Sequence, residues 1–278
     1  MAPTPPYAHA ERARKDRPDL GAGGVVALLT PAENPTAEPE LSVLLPSDIN
    51  LLTARMYAPH TGMNDRLVNY EMRLEEWLAP FGEAPLDAIA FACTGSTYLL
   101  GPSRRRPAPL QRSATSCPVI CAADALKDAL DSLGAQRITL LSPYPAPLTH
   151  AAEVHWRNAG YQIAAVIQSP LAPNATHPIY GQTAASLLNG LRQCIDARDV
   201  DAIVAMGTGA PSLAALAVAS RETATPILSS NLATAWSVTA ALGLEAPSSI
   251  AAWLAPDASW RDRLWSRFPT VRDRMKHA

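Results

Sequence analysis

The chain has 278 residues, 48% hydrophobic and 17% charged, so it is long enough to bury one large core or two modest ones. Its net charge of −2 leaves no basic surplus, which argues against nucleic acid and anionic membrane surfaces as partners. No window is apolar for the length of a membrane span, and the first residues lack the apolar stretch of a secretory signal, so we expect a cytoplasmic protein.

The four cysteines fit reduced thiols better than a disulfide framework. Cys117 and Cys121 are close in sequence, but no second pair or histidine cluster stands at ligand spacing. His150 and His155 are out of step with the i, i+4 pairing of a helical metal site. We therefore predict no metal site.

The first part of the chain predicts a disordered tail followed by alternating strands and helices. Residues 1–20 are rich in proline and charge. An apolar strand follows and stops at Pro31, residues 36–45 can form a short helix, and the segment INLLTARMYA predicts a second strand. Residues 64–81 have the apolar spacing of one amphipathic helix.

The same order then recurs. The segment RITLLSPYPAP matches VVALLTPAENP, and TPILSSNLATAW matches CPVICAADALKD. Strands alternating with helices at this spacing predict an α/β fold, with parallel sheets covered on both faces. We predict two pseudo-symmetric halves, each a four-stranded parallel sheet. Residues 21–123 form the first half, residues 124–232 the second, and helices in residues 233–278 pack on the first.

One segment is written twice, and the two copies differ at a thiol. LDAIAFACTGSTYL at residues 86–99 aligns without a gap with VDAIVAMGTGAPSL at residues 200–213, which places Cys93 opposite Gly207. Each copy predicts a short strand that ends in a tight Thr-Gly turn. Parallel strands present such turns at one edge of the sheet, so we place the functional site in a cleft between the two halves.

Cys93 has the most reactive side chain in these turns. A helix N-terminus after its strand would lower the pKa of the thiol, and small residues around it let backbone N–H groups approach an anion. A lone cysteine is more often a small buried hydrophobe. Tyr144, held between prolines, can donate a hydrogen bond to a substrate or rim the cleft, and Asn34 and Asn174 can orient a carboxylate or simply form turns.

Two other motifs predict little. GTGAPS at residues 207–212 begins like a dinucleotide fingerprint, but Pro211 and Ser212 break the glycine pattern, so no nucleotide cofactor is expected. Arg104, Arg105 and Arg106 stand in a proline-rich loop, where a charged run is usually solvated surface.

Six segments, in this order and spacing, resemble the cofactor-independent aspartate/glutamate racemase superfamily, in particular its maleate cis–trans isomerase and arylmalonate decarboxylase branch. They are TPAEN (30–34), ACTGST (92–97), SPYPAPLT (142–149), PNAT (173–176), GTGAPSL (207–213) and SSNLATAW (229–236). The resemblance implies that Asn34, Cys93, Tyr144 and Asn174 are active-site residues and that Thr94, Gly95, Thr208 and Gly209 bind a carboxylate. It also implies a small dicarboxylate substrate, no cofactor and a homodimer.

The chain departs from this family at Gly207. Superfamily members typically place one cysteine on each face of the substrate, and here the second-half position is glycine. Two-base racemisation is therefore not expected. We predict a maleate isomerase-like enzyme in which Cys93 adds to the alkene, the C–C bond rotates and the thiolate leaves. The alternatives are a decarboxylase with Cys93 as proton donor, giving the opposite enantiomer, and a non-catalytic carboxylate-binding protein.

Overall fold

A computed structural model describes residues 19–58, 62–101, 104, 107–112, 115–170, 178–197, 199–244 and 249–276. The predicted tail up to residue 18, Arg105, Arg106 and Asn174 lie outside these described residues. Among the described helices, none is both long and apolar enough to cross a membrane.

The first half is a four-stranded parallel sheet of order β2-β1-β3-β6. Its strands are β1 (Gly24–Pro31), β2 (Ile49–Met56), β3 (Ala88–Phe91) and β6 (Val119–Cys121). The helices of this half are α1 (Ala37–Leu44), α2 (Met63–Met72), α3 (Leu74–Trp77), α4 (Thr94–Leu100) and α5 (Ala122–Ser132). Every residue of β1 and β3 is buried, because helices cover both faces of the sheet.

The second half has the matching order β8-β7-β9-β10. Its strands are β7 (Arg137–Ser142), β8 (Gln162–Gln168), β9 (Ala202–Ala205) and β10 (Ile227–Ser229). The helices are α6 (Ala146–Asn158), α7 (Ala184–Asp196), α8 (Ser212–Ala219) and α9 (Ser230–Ala241). The predicted pair of four-stranded parallel sheets is confirmed.

Two aspartates show why the repeat begins as it does. Asp87 Oδ2 accepts a hydrogen bond from the Val25 N–H at 2.8 Å, and Asp201 Oδ2 accepts from Arg137 N–H at 2.8 Å and Gln136 N–H at 2.9 Å. In each half the carboxylate ties the start of the repeated strand to the start of its neighbour. The duplication therefore extends to backbone hydrogen bonding.

Two local features differ from the sequence prediction. The single helix expected over residues 64–81 is broken into α2, α3 and a 3-10 turn, Ala79–Phe81, because the backbone of Arg73 leaves the helical region at φ −109° and ψ 30°. A short antiparallel ribbon, β4 (Leu110–Arg112) with β5 (Thr115–Cys117), was not predicted.

The C-terminal helices contact both halves. Helix α9 packs against α1, α5 and β3. It is followed by α10 (Ala251–Leu254), α11 (Trp260–Arg267) and α12 (Pro269–Met275). Helix α11 packs on α1, and α12 packs on α7 and α8. The predicted boundaries at residues 123 and 232 remain a prediction.

Candidate active site

The two repeats meet at one small cavity of about 50 Å³. All the predicted site residues that the structure describes line it, namely Asn34, Cys93, Thr94, Gly95, Tyr144, Gly207, Thr208 and Gly209. Asn174 lies outside the described residues. The cavity has room for a few water molecules or one compact ligand, which fits a small substrate.

The two copies of the repeat end differently. In the first half, Cys93 is the N-cap of α4 and the helix starts at Thr94, so the expected Thr-Gly turn is a helix start. In the second half a true turn is kept, because Pro211 delays the start of α8 to Ser212. The first half therefore presents a helix N-terminus to the cavity, and the second half presents an irregular loop.

The thiol of Cys93 is almost completely buried, with 4% of the residue exposed. Burial raises the pKa of this thiol to about 11, and hydrogen bonds from the side chain and N–H of Ser96 and from the N–H of Gly95 offset the rise only in part. Ser96 Oγ donates to Cys93 Sγ at 3.1 Å. The predicted lowering of the pKa is wrong, because desolvation of the thiolate outweighs the donors at the helix start.

Tyr144 and Thr94 share a hydrogen bond across the floor of the cavity. Their hydroxyl oxygens are 2.5 Å apart, and either can be the donor. Burial raises the pKa of Tyr144 well above its usual value, so the phenol is protonated. The two hydroxyl groups carry two protons, and one of these protons forms the hydrogen bond between them. Thr94 also interacts with the Tyr98 hydroxyl, so Tyr98 and a ligand oxygen compete for the other proton.

Asn34 and Thr208 link the two halves beside the thiol. Asn34 Nδ2 donates to Thr208 Oγ1 at 3.2 Å, and Thr208 Oγ1 donates to the carbonyl of Ala92 at 2.7 Å. The hydroxyl proton of Thr208 is thus committed to the protein. Asn34 keeps a second amide proton, and Thr208 can offer a ligand only its backbone.

The place opposite Cys93 is closed by apolar side chains. A Cβ atom on Gly207, where φ is +91°, would lie 2.7 Å from Ile179 Cδ1, 2.8 Å from Pro143 Cγ and 3.3 Å from Tyr144 Oη. A Cβ on Gly209 would lie 2.5 Å from Tyr180 Cε1. Ile179 and Tyr180 belong to a 3-10 turn, Pro178–Gly181, that presses on the second-half loop. The space for a second thiol is therefore filled.

Sequence reasoning missed one wall of the cavity. Met63, Arg66, Leu67 and Tyr70 of α2 line it, and Arg66 is the one charged side chain among the described lining residues. The amphipathic spacing of this segment predicted a helix, but nothing in the spacing assigned its apolar face to a ligand site. The signal was present in the spacing, and only the packing of α2 over α4 assigns it to the site.

The prediction that the arginine run is solvated surface is wrong for Arg104. Only 8% of its side chain is exposed, and it forms a bidentate pair with Asp124 at 2.9 and 2.7 Å and a second pair with Glu71. Thr97 of α4 also donates to Glu71, at 3.1 Å. This ionic cluster joins α2, α4 and α5 behind α4, whose N-cap is Cys93. Within the described residues, no group of three His, Cys, Asp or Glu could hold a metal ion.

Comparisons with known proteins bear on this site. A family model described as arylmalonate decarboxylase matches residues 86–254. The maleate isomerase of Geobacillus stearothermophilus is 24% identical over 79% of this chain and 92% of its own length.

Solved structures share the fold. A mutant of the Nocardia farcinica maleate cis–trans isomerase with a covalently bound succinylcysteine intermediate has a TM-score of 0.69 at 24% identity, over 81% of this chain and 96% of its own. An arylmalonate decarboxylase structure has a TM-score of 0.58 at 16% identity, over 79% of this chain and 92% of its own.

Proposed function

This chain belongs to the arylmalonate decarboxylase family, and we propose that it is a cofactor-independent cysteine enzyme acting on a small dicarboxylate, most like a maleate cis–trans isomerase. The predicted branch of the superfamily is confirmed, and the maleate isomerase relatives support the predicted enzyme class. The observation that carries the proposal is that the buried thiol of Cys93 opens into the same cavity as the Thr94–Gly95 and Thr208–Gly209 segments.

The cavity can hold both ends of a dicarboxylate. The spare amide proton of Asn34 and the spare hydroxyl proton of the Thr94–Tyr144 pair suit one carboxylate near the thiol. Arg66, across the cavity, supplies a positive charge for the other. The remaining walls are apolar, so these few polar groups would fix the orientation of the ligand.

The isomerisation needs one thiolate and no net proton. The thiol first gives its proton to water. The Cys93 thiolate then bonds to one alkene carbon, and the alkene electron pair moves to the other carbon, where the adjacent carboxylate shares the charge. The C–C single bond rotates. The pair then re-forms the double bond as the S–C bond breaks, which releases fumarate and the thiolate. The succinylcysteine of the mutant Nocardia enzyme is a precedent for the S–C bond, there with the second carbon protonated.

The proposal is tested by incubating the protein with maleate and following fumarate by proton NMR across pH. Because burial raises the pKa of Cys93 to about 11, the thiolate fraction and with it the rate should rise as pH increases from neutral. A maleate isomerase rate that falls over this range would contradict a thiolate nucleophile.

A second candidate function follows from the same raised pKa. A thiol that stays protonated at neutral pH is suited to give a proton, as in decarboxylation of an arylmalonate. One carboxylate leaves as carbon dioxide, its bonding pair remains on the α-carbon as an enediolate, and Cys93 Sγ–H protonates that carbon before water restores the thiol. Here the rate should fall as pH rises toward the thiol pKa.

The configuration of the product of this second reaction shows which face of the enediolate is protonated. Arylmalonate decarboxylases use a cysteine from the second half, where this chain has Gly207, so protonation from Cys93 should give the opposite enantiomer. Gas release from α-methyl-α-phenylmalonate, followed by chiral chromatography of the acid, checks this. Product of the usual hand would show that Cys93 is not the donor.

A carboxylate-binding protein without turnover is the remaining alternative. It would be stabilised against heat by maleate or fumarate and would convert neither. The homodimer, the cytoplasmic location and the roles of the site residues, Asn174 included, remain predictions.

A further inference from the structure

Glu40 of α1 is a buried carboxylate whose hydrogen-bond partners all come from the second half of the chain. It is 6% exposed. Its Oε1 accepts from the Leu213 N–H at 2.8 Å, and its Oε2 accepts from Ser212 Oγ and Asn231 Nδ2, each at 2.8 Å. Every partner is a donor, which favours the ionised carboxylate, while burial opposes it and raises the pKa of Glu40 to about 7.

Asn231 connects Glu40 to the second-half loop. The same Nδ2 that donates to Glu40 also donates to the Thr208 carbonyl at 3.0 Å. The Gly209 carbonyl is held as well, by Thr36 Oγ1 at 2.9 Å. The carbonyls on both sides of Gly209 are thus fixed by hydrogen bonds.

Fixing the Thr208 carbonyl also fixes the N–H of Gly209. These two groups belong to one planar trans peptide and point in opposite directions. The carbonyl faces Asn231 and Glu40, so the N–H faces the other way, and Gly209 lines the cavity. This N–H donates to no acceptor among the described residues. A Cβ atom on Gly209 would lie 2.5 Å from Tyr180 Cε1, so a side chain here would displace Tyr180 or this peptide.

We propose that Glu40 is a positioning residue for ligand binding: through Asn231 it holds the Thr208–Gly209 peptide so that the Gly209 N–H donates to a carboxylate of the ligand. The inference rests on the proposed dicarboxylate function and adds a residue that does not touch the ligand. Because Glu40 does not line the cavity that contains Cys93, it should affect binding and leave the chemical step on Cys93 largely unchanged.

Ser212 provides a matched control. Ser212→Ala removes one hydrogen bond to Glu40 and leaves the bridge from Asn231 to Thr208 intact. Glu40→Gln replaces one carboxylate oxygen with an NH2 group, which cannot accept from the donors that face Glu40. Asn231→Ala removes the side chain that connects Glu40 to the Thr208 carbonyl. Glu38→Gln changes a partly exposed carboxylate of the same helix that pairs with Arg55.

The binding experiment is calorimetric titration of maleate into Cys93→Ala protein carrying each second change. We expect Glu40→Gln and Asn231→Ala to weaken binding by about tenfold or more, the effect of losing one hydrogen bond to a charged group. Ser212→Ala and Glu38→Gln should stay within about twofold of the parent. In protein with Cys93 intact, the same changes should raise KM with little change in kcat.

Amide hydrogen exchange of residues 207–211 is measured in the same variants without ligand. Faster exchange in Glu40→Gln and Asn231→Ala, but not in Ser212→Ala, is the expected result and does not depend on turnover. If maleate is bound but not isomerised, the proposed reaction fails and this inference stands. Unchanged binding in folded Glu40→Gln, equal loss in Ser212→Ala, or a parent that binds no maleate would overturn the inference.

Discussion

At Cys93 two effects on the thiol oppose each other. Donors from Ser96 and Gly95 favour the thiolate, and burial among apolar groups favours the thiol; burial is the larger effect and raises the pKa to about 11. Sequence could place the cysteine at a helix start, but the depth of its burial follows from how α2 and Tyr144 cover it. The resting group is therefore a thiol, and any nucleophilic step must first remove its proton.

Tyr144→Phe should lower kcat/KM by about tenfold to a hundredfold, the effect of losing one hydrogen bond to a charged group, because the change removes one of the two hydroxyl protons of the Thr94–Tyr144 pair. Stability should change little, since the ring keeps its edge contact with Tyr98. Steady-state kinetics and thermal unfolding check both statements.

Tyr161→Phe is the matched control for this change. Its hydroxyl donates to Asp131 at 2.7 Å, far from the cavity lining. Equal activity losses in the two variants would contradict a role for Tyr144 in the site.

The candidate site was largely predictable because its residues follow strand ends in a repeated pattern. Asn34, Cys93, Tyr144 and the two Thr-Gly segments do line one cavity. The Ile179 side chain that fills the place opposite the thiol could not be predicted, because a four-residue 3-10 turn leaves no periodic signal in the sequence.

At the scale of the element, the second-half turn requires glycine at position 207 for two reasons, its positive φ and its crowding. Gly207→Ala should reduce the free energy of unfolding by about 1 kcal/mol for the backbone and a further 1–3 kcal/mol for overpacking. Denaturant titration measures the sum.

Gly134→Ala separates the two causes. Gly134 has φ +67° but nothing within 4 Å of the added Cβ, so it should show only the backbone cost. Adding Ile179→Val to Gly207→Ala removes the nearest clashing atom and should restore part of the loss. Equal costs at Gly207 and Gly134 would contradict the crowding at the place opposite the thiol.

The ionic cluster behind α4 is the second element-scale feature. Arg104→Met should destabilise the fold by about 3–5 kcal/mol, because Glu71 and Asp124 would remain buried without a cation. Burial already raises the pKa of Glu71, and Arg104 is the main group that opposes the rise. Chemical denaturation of the variant measures the loss.

Arg157→Met removes an exposed i, i+4 pair with Glu153 on α6 and should cost about 0–1 kcal/mol. Equal stability of the two arginine variants would contradict the stabilising role of the buried Arg104 cluster. From sequence, a charged run beside prolines gives no sign that one member is buried.

At the scale of the whole molecule, alternation of strands and helices predicted both sheets and their equivalent order. Strand β1 was well placed because a continuous apolar run that stops at a proline is typical of a strand buried on both faces. The broken helix at Arg73 was missed because an amphipathic pattern continues across a local backbone deviation.

The contribution of His155 to the free energy of unfolding should fall on acidification between pH 6.5 and about 4, whereas Glu40, whose pKa burial raises to about 7, contributes with the opposite sign. Burial lowers the pKa of His155 from 6.5 to about 4, so in this window the unfolded chain binds a proton that the folded chain does not. The loss is at most about 3 kcal/mol.

His155→Gln should remove this contribution, so the stability of the variant should fall less, or rise more, on acidification than that of the wild type. Urea unfolding of both proteins at several pH values measures the difference. The same pH dependence in the two proteins would contradict a buried neutral His155.

The most direct test of the one-thiol account is conversion of maleate to fumarate, followed by proton NMR in deuterium oxide, with wild-type protein, Cys93→Ala and Cys194→Ala. Cys194 is buried in α7 and does not line the cavity. The account predicts fumarate without carbon-bound deuterium from wild type and Cys194→Ala, and none from folded Cys93→Ala. Fumarate formed by Cys93→Ala at the wild-type rate would contradict it.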